Sequence, residues 1–192
     1  MYEVICVGAS WGGFNAFAQL VGEIPDEVDV PIVLAQHRHR DSTGAALAEL
    51  LRLRIRRPVQ DAEDKMAIEH GNVYLAPSDY HLLVQPGSFA LSLDDRVQYA
   101  RPSIDVLLES ASYAYGPAAI GIILTGANED GAAGLALLKQ RGGVAVIQDP
   151  TDAARRAMPD AAIAATAADA ILPLEEIGKF VYGLCLKAGV DA

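Results

Sequence analysis

The strongest constraint on this chain is an alternation of two patterns. Residues 3–7, Glu3-Val4-Ile5-Cys6-Val7, form a short and largely apolar run, and a helical pattern follows over 13–21. Short β-branched runs that stop at glycine read as buried strands, whereas apolar positions three and four apart read as one face of a helix. The pair recurs at 31–35 with 43–53, at 120–124 with 130–140, and at 144–147 with a shorter helix near Asp160. A last unit joins 170–172 to a helix over 174–186. Parallel neighbours need crossover connections, so this rhythm predicts a parallel sheet with helices on both faces. The middle breaks the rhythm. After a strand at 72–76, the runs 81–84 and 89–93 flank Gln85-Pro86-Gly87-Ser88, which predicts an antiparallel hairpin. Ser103 then stands where a hydroxyl can cap a helix running to Tyr115. The expected fold class is therefore α/β, doubly wound and mostly parallel, with an antiparallel β-hairpin insertion, in a single domain over residues 1–192.

Composition narrows the function. The 192 residues, 52% of them hydrophobic, suffice for one well-buried core. A formal net charge of -10 excludes phosphate neutralisation as the main activity, so no nucleic acid partner is expected. Two local basic clusters, Arg52 with Arg54, Arg56 and Arg57, and Arg155 with Arg156, read either as solvated faces or as a contact zone for an acidic partner. Cys6 and Cys185 lack metal-like spacing and read as reduced core thiols. With no signal region and no apolar run approaching the about 18–20 residues of a span, a cytoplasmic protein without membrane insertion is expected.

In open parallel sheets, ligands gather beyond the carboxyl ends of the strands. The first predicted strand delivers Ser10 there, the second Gln36 and His37, and the strand at 120–124 delivers Thr125-Gly126-Ala127-Asn128-Glu129-Asp130. Gly8-Ala9-Ser10-Trp11-Gly12 fits G-x-S-x-G at a strand-to-helix turn, where a serine hydroxyl stands exposed as a nucleophile. The ordinary structural reading is a tight glycine turn with a helix-capping serine. A dinucleotide loop is disfavoured, because Gly8, Gly12 and Gly13 miss the G-x-G-x-x-G spacing. His37 can take and return the serine proton, and Asp130 can orient the imidazole. His39 could join His37 as a metal pair, but no third ligand follows at a sensible spacing. The chain order Ser10, His37, Asp130 differs from α/β-hydrolases, in which the histidine comes last; the last histidine here is His81, in the predicted hairpin.

Taken together, these motifs resemble the catalytic domain of the CheB-type protein-glutamate methylesterases of bacterial chemotaxis. The resemblance covers nearly the whole chain. It is carried by Gly8-Ala9-Ser10-Trp11-Gly12-Gly13, Gln36-His37, Tyr74-Leu75-Ala76-Pro77, Arg101-Pro102-Ser103-Ile104-Asp105 and Ile123-Leu124-Thr125-Gly126. Asp130-Gly131-Ala132-Ala133-Gly134, Gln148-Asp149 and Met158-Pro159 complete it. The resemblance implies hydrolysis of methyl esters on glutamate side chains of chemoreceptors, and in many members deamidation of receptor glutamines. Ser10, His37 and Asp130 are then the catalytic triad. The amide of Ala127, with that of Trp11 as a further candidate, would form the oxyanion hole, and no metal or organic cofactor is implied. The implied partners are the methylated cytoplasmic helices of chemoreceptors. Arg101 is expected either to bind an acidic receptor surface as a substrate-binding residue or to brace the loops, with Arg38 and Arg40 as further contacts.

Three departures accompany the resemblance. Position 11 is usually small or a threonine, so Trp11 forms either a wall of the site or a core aromatic. The loop reads Asn128-Glu129-Asp130 where glycine, asparagine, aspartate is common, so Glu129 competes with Asp130 as the acid, although alignment through Gly131-Ala132-Ala133-Gly134 selects Asp130. The receiver domain of the familiar chemotaxis enzyme has no counterpart ahead of Met1. A stand-alone enzyme, one controlled in trans by a separate regulatory protein, or an excised domain is expected. Two rivals remain: a non-catalytic adaptor on the same fold, and an esterase or amidase for a different substrate.

Overall fold

The computed structural model describes residues 1–37 and 44–190. The first strand, β1 (Val4–Ala9), runs two residues beyond its expected end, because Gly8 lies within the strand instead of terminating it. It is followed by α1 (Gly13–Glu23), β2 (Ile32–Gln36), α2 (Gly44–Arg52), β3 (Val59–Asp61) and β4 (Val73–Leu75). The hairpin strands β5 (His81–Gln85) and β6 (Ser88–Ser92) come next, then α3 (Ile104–Tyr115) and β7 (Ala119–Ile123). The chain ends with α4 (Ala132–Gln140), β8 (Val144–Gln148), α5 (Ala157–Ala165), β9 (Ala170–Leu172) and α6 (Leu174–Val190).

Seven strands form one sheet in the order β3-β4-β2-β1-β7-β8-β9, and every pairing in it is parallel. The α/β doubly wound fold expected from the alternation is the fold observed. The sequence reading missed β3, whose three residues include one buried apolar side chain, Val59, directly after Pro58. That is too little for an alternating signature. The hairpin forms its own two-stranded sheet and packs on α3, where Ser110 Oγ accepts from the Val84 amide and Tyr115 OH from the Gly87 amide, each at 2.9 Å.

Alternation along β1 shows why both faces are covered. Ile5, Val7 and Ala9 join a core containing Phe17, Leu20, Leu51, Ile177 and Val181, beneath α1, α2 and α6. Val4 and Cys6 point the other way, into a core with Ile104, Leu107, Leu135, Met158 and Phe89, beneath α3, α4, α5 and the hairpin. Successive strand residues face opposite sides, so a sheet buried on both reads as a continuous apolar run. Among the described residues no helix is long and apolar enough to cross a membrane.

The cysteines and arginines found structural places. Cys6 is fully buried and Cys185 half-buried; both are free, and burial pushes both thiols up. Arg57 is buried and donates to the carbonyls of Pro25 and Val28, each at 2.7 Å, while Arg52 Nε donates to Val59 O at 2.8 Å. Half of the first basic cluster therefore ties α2 and its exit to the neighbouring loops.

Candidate active site

The strand order puts β1 at the point where the chain first winds one way, to β2, and later the other way, to β7. Such a switch point opens a crevice at the carboxyl ends of the strands. Register then does the assembly. Ala9 is paired with Gln36 and Gly8 with Ile123, so Ser10 and His37, one residue past their strand ends, and Thr125, two past its own, come out side by side. Backbone hydrogen bonds extend the pairing past the strands: the His37 amide donates to Ala9 O at 3.2 Å, and the Ser10 amide to Thr125 O at 2.9 Å.

Local sequence shapes each part. Gly12 has φ +81° and caps α1, a left-handed conformation that glycine adopts without penalty, so the chain turns from strand to helix at once and leaves Ser10 at the tip. Gly126 lies against Met158, whose sulfur occupies the space a Cβ would need, and Ser10 Cβ is 3.1 Å from the same point. The two sequence landmarks Thr125-Gly126 and Met158-Pro159 are thus one contact seen from both sides. Thr125 is tied down as well: its Oγ1 donates to Trp11 O at 2.9 Å and accepts from the Arg155 amide at 2.9 Å, and Gln148 Oε1 accepts from its amide at 2.9 Å.

Asp130 is the most heavily ligated side chain of the site. Its Oδ2 is 2.6 Å from His37 Nε2 and accepts from the Ile104 amide at 2.7 Å. Its Oδ1 accepts from Ser103 Oγ at 2.8 Å and the Asp105 amide at 3.0 Å. Burial pushes this carboxyl up, but the bonds from His37, Ile104 and Asp105 outweigh it and hold the group below its ordinary range. Asp130 is therefore a carboxylate that only accepts, and the neutral His37 ring carries its hydrogen on Nε2. The lone pair is on Nδ1, where Asn128 Nδ2 stands 3.1 Å away.

Asp130 sits at the head of α3, and Asp105, in the first turn of α3, sits at the head of α4. Asp105 Oδ1 accepts from the amides of Gly131 at 2.9 Å and Gly134 at 2.7 Å, and Gln98 Nε2 donates to its Oδ2 at 3.2 Å. The two helices thus cap each other with carboxylates, which both helix dipoles favour. Burial, with the charge of Asp130 added, lifts the Asp105 carboxyl above its ordinary range despite the Gly134 and Gly131 amides.

The other residues singled out from the sequence divide. Glu129 is exposed while Asp130 is buried against His37, so of the two acids it is Asp130 that the fold brings to the imidazole. Trp11 is 64% exposed with the Arg155 guanidinium over its ring at 5.5 Å, which corrects the core-aromatic reading: the strand end projects it outward. Ala127 is exposed at the crevice. Among the described residues, the amides of Trp11 and Ala127 have no backbone acceptor. Arg101 spends its donors within the chain, on Asp79 Oδ1 at 2.9 Å and on the carbonyls of Leu93 and Asp94 at 2.9 and 3.1 Å. His81 is a satisfied core histidine, facing Asp95 O at 3.0 Å and the Ser103 amide at 3.2 Å. Arg38, His39 and Arg40 lie outside the described residues. Among the described residues no group of three His, Cys, Asp or Glu side chains could hold a metal ion.

Sequence reasoning missed two neighbours. Nothing in the sequence signals the contact of Asn128 with His37. Tyr99, 96% exposed, follows Gln98, and both have positive φ, 64° and 47°, a conformation unfavourable for such side chains. Together with Asn128, Glu129, Ala157 and Ala161 they line an open groove of about 510 Å³ beside the histidine.

Comparison with known proteins agrees with this geometry. The chain matches the model of the CheB methylesterase family over residues 5–181. It is 44% identical over 187 residues to a Leptospira interrogans protein whose name carries protein-glutamate methylesterase and protein-glutamine glutaminase, covering 95% of each chain. With the protein-glutamate methylesterase FrzG of Myxococcus xanthus the identity is 39% over 178 residues, spanning 92% of this chain and 53% of that protein. The crystal structure of the Thermotoga maritima CheB methylesterase catalytic domain superposes with a TM-score of 0.88 at 30% identity, over 96% of this chain and 99% of that one. A family match of this extent, on a chain whose fold agrees from end to end, leads to one conclusion: the chain belongs to the CheB methylesterase family.

Proposed function

We propose that Ser10, His37 and Asp130 carry the methylesterase activity of this family by acyl transfer through the serine. The observation that supports it most is the 2.6 Å contact with Asp130 made by Nε2 of His37, the residue at the strand end beside Ser10, a contact that helps to hold the Asp130 carboxyl below its ordinary range. His37 Nδ1 takes the proton as Ser10 Oγ attacks the side-chain carbonyl of a glutamate methyl ester. Collapse of the tetrahedral intermediate breaks the carbon–methoxy bond, and the proton returns to make methanol. Water then repeats the sequence on the acyl-enzyme and leaves a glutamate. A glutamine enters the same path and releases ammonia.

The oxyanion needs fixed donors, and the amides of Ala127 and Trp11, free of backbone acceptors among the described residues, suit that role. The substrates are methylated cytoplasmic helices of chemoreceptors, for which the exposed rings of Trp11 and Tyr99 offer amphipathic contact. Arg101 supports the site by holding the hairpin end against the loop that leads into α3, through Asp79, Leu93 and Asp94. The test is methanol release from a methylated receptor fragment. Ser10→Ala is expected to abolish release while the fold persists, and undiminished release from that variant refutes the mechanism.

A further inference from the structure

We infer that Asn128 is a positioning residue that covers the His37 base nitrogen and must withdraw before Ser10 can be activated. This rests on the reading of Ser10 as nucleophile and His37 as base. The chemistry leaves one nitrogen for the task, because Nε2 is bound to Asp130 at 2.6 Å and the carboxylate can only accept. Nδ1 must then receive the serine proton. The structure places Asn128 Nδ2 against that lone pair, at 3.1 Å, with the amide as donor. A nitrogen whose lone pair accepts from an amide is not available to a hydroxyl until that bond is broken.

The other end of the same side chain shows how lightly it is held. Asn128 Oδ1 is buried and has no hydrogen-bond partner among the described residues, an unfavourable state for a carbonyl oxygen. Among the described residues, the contact with His37 is the one hydrogen bond of this amide. Its neighbours Ala127 and Glu129 are exposed, and Asn128 also lines the open groove of about 510 Å³ shared with Tyr99 and Ala157. A substrate segment entering that groove meets Asn128 directly, and the groove gives the amide room to turn. Displacement frees Nδ1, which takes the Oγ proton as the Oγ–carbon bond forms and returns it to the departing methoxide or amine. Ser10 is thereby quiet while Asn128 covers Nδ1 and reactive once the amide is displaced.

The experiment uses the full chain and an activated small ester, p-nitrophenyl acetate, too small to fill the groove. Asn128→Gly and Asn128→Ala are expected to acylate about three- to tenfold faster than wild type, the scale of one released hydrogen bond. Asn128→Asp, which faces Nδ1 with an acceptor and keeps a proton on it, is expected to be slower than wild type. Nitrogen-15 spectra of the ring supply a readout that mere loop packing would not move. In Asn128→Gly the Nδ1 resonance shifts toward that of an unbonded ring nitrogen, while Nε2 stays in its hydrogen-bonded position. Equal or slower acylation by folded Asn128→Gly and Asn128→Ala, or an unmoved Nδ1 resonance, overturns the inference. Ser10→Ala in the Asn128→Gly background separates the two claims: loss of the accelerated acylation is expected and supports the release of Ser10 by withdrawal of Asn128, whereas persistent acylation refutes the nucleophile itself and overturns the inference with it.

Discussion

Each Asp130 oxygen accepts from two donors, and this makes the residue irreplaceable by its closest isostere. Asparagine would turn one of the two oxygens into a donor, set either against His37 Nε2 and the Ile104 amide or against Ser103 and the Asp105 amide. In the first case His37 must adopt the other tautomer and loses Nδ1 as its base. Asp130→Asn is therefore expected to lower kcat by about 10³–10⁴, the cost of a wrongly held imidazole, as methanol release will measure. A donor left unmatched in the core should also cost about 1–3 kcal/mol in urea denaturation. Ser10→Ala, His37→Ala and the double variant are expected to show nearly the same residual rate, because nucleophile and base act as a unit. The pH dependence has a definite sign. The folded Asp130 titrates below the ordinary carboxylate value of about 3.9, so its contribution to stability is complete above that value and fades as pH falls through the depressed one.

Reciprocal capping of α3 and α4 is the device that makes the acid rigid, and it works through Asp105 as much as through Asp130. Asp105→Ala leaves the amides of Gly131 and Gly134 without their acceptor and should destabilise the fold by about 2–4 kcal/mol, read from urea midpoints. Asp105→Asn keeps an acceptor for both and removes a charge that burial and Asp130 oppose, so its stability at neutral pH is expected to match or exceed wild type. For Asp105 the linkage runs opposite to that of Asp130. A carboxyl raised in the folded state costs stability once ionised, so wild type regains ground on Asp105→Asn as pH falls through the raised value. This junction also marks what the sequence could reveal. Strand and helix alternation, and the arrival of Ser10, His37 and Asp130 at one sheet edge, follow from periodicity and chain order. The mutual caps do not, since Asp105 and Asp130 are 25 residues apart and their pairing depends on how two helices cross. Nor do Asn128 on Nδ1, the three-residue β3, or Arg57 folded inward from an apparent basic cluster, because each is decided by tertiary contact instead of local pattern.

At the scale of the whole molecule, the reaction changes the charge of its own ligand. A glutamate methyl ester and a glutamine are neutral, and the product side chain is an anion. It forms on a protein of formal net charge -10, beside the exposed Glu129 and the ionised Asp130. Among the described residues, Arg101 is committed to Asp79 and two carbonyls and Arg156 to Asp160 at 2.6 Å, while the Arg155 guanidinium lies over the Trp11 ring. Like charges repel over a distance set by salt, about 30 Å at 0.01 M and about 3 Å at 1 M. The product should therefore bind more weakly than the substrate it came from, and the gap should close as salt rises. With Ser10→Ala to prevent turnover, a receptor fragment carrying glutamine at the target position is expected to bind about fivefold more tightly than its glutamate counterpart at low salt. At about 1 M salt, where the screening length is shorter than a side chain, the two dissociation constants should agree within about twofold. Calorimetric titration of both fragments checks this, and a glutamate fragment that binds as tightly as the glutamine one at low salt would mean that a cation outside this arrangement receives the product carboxylate.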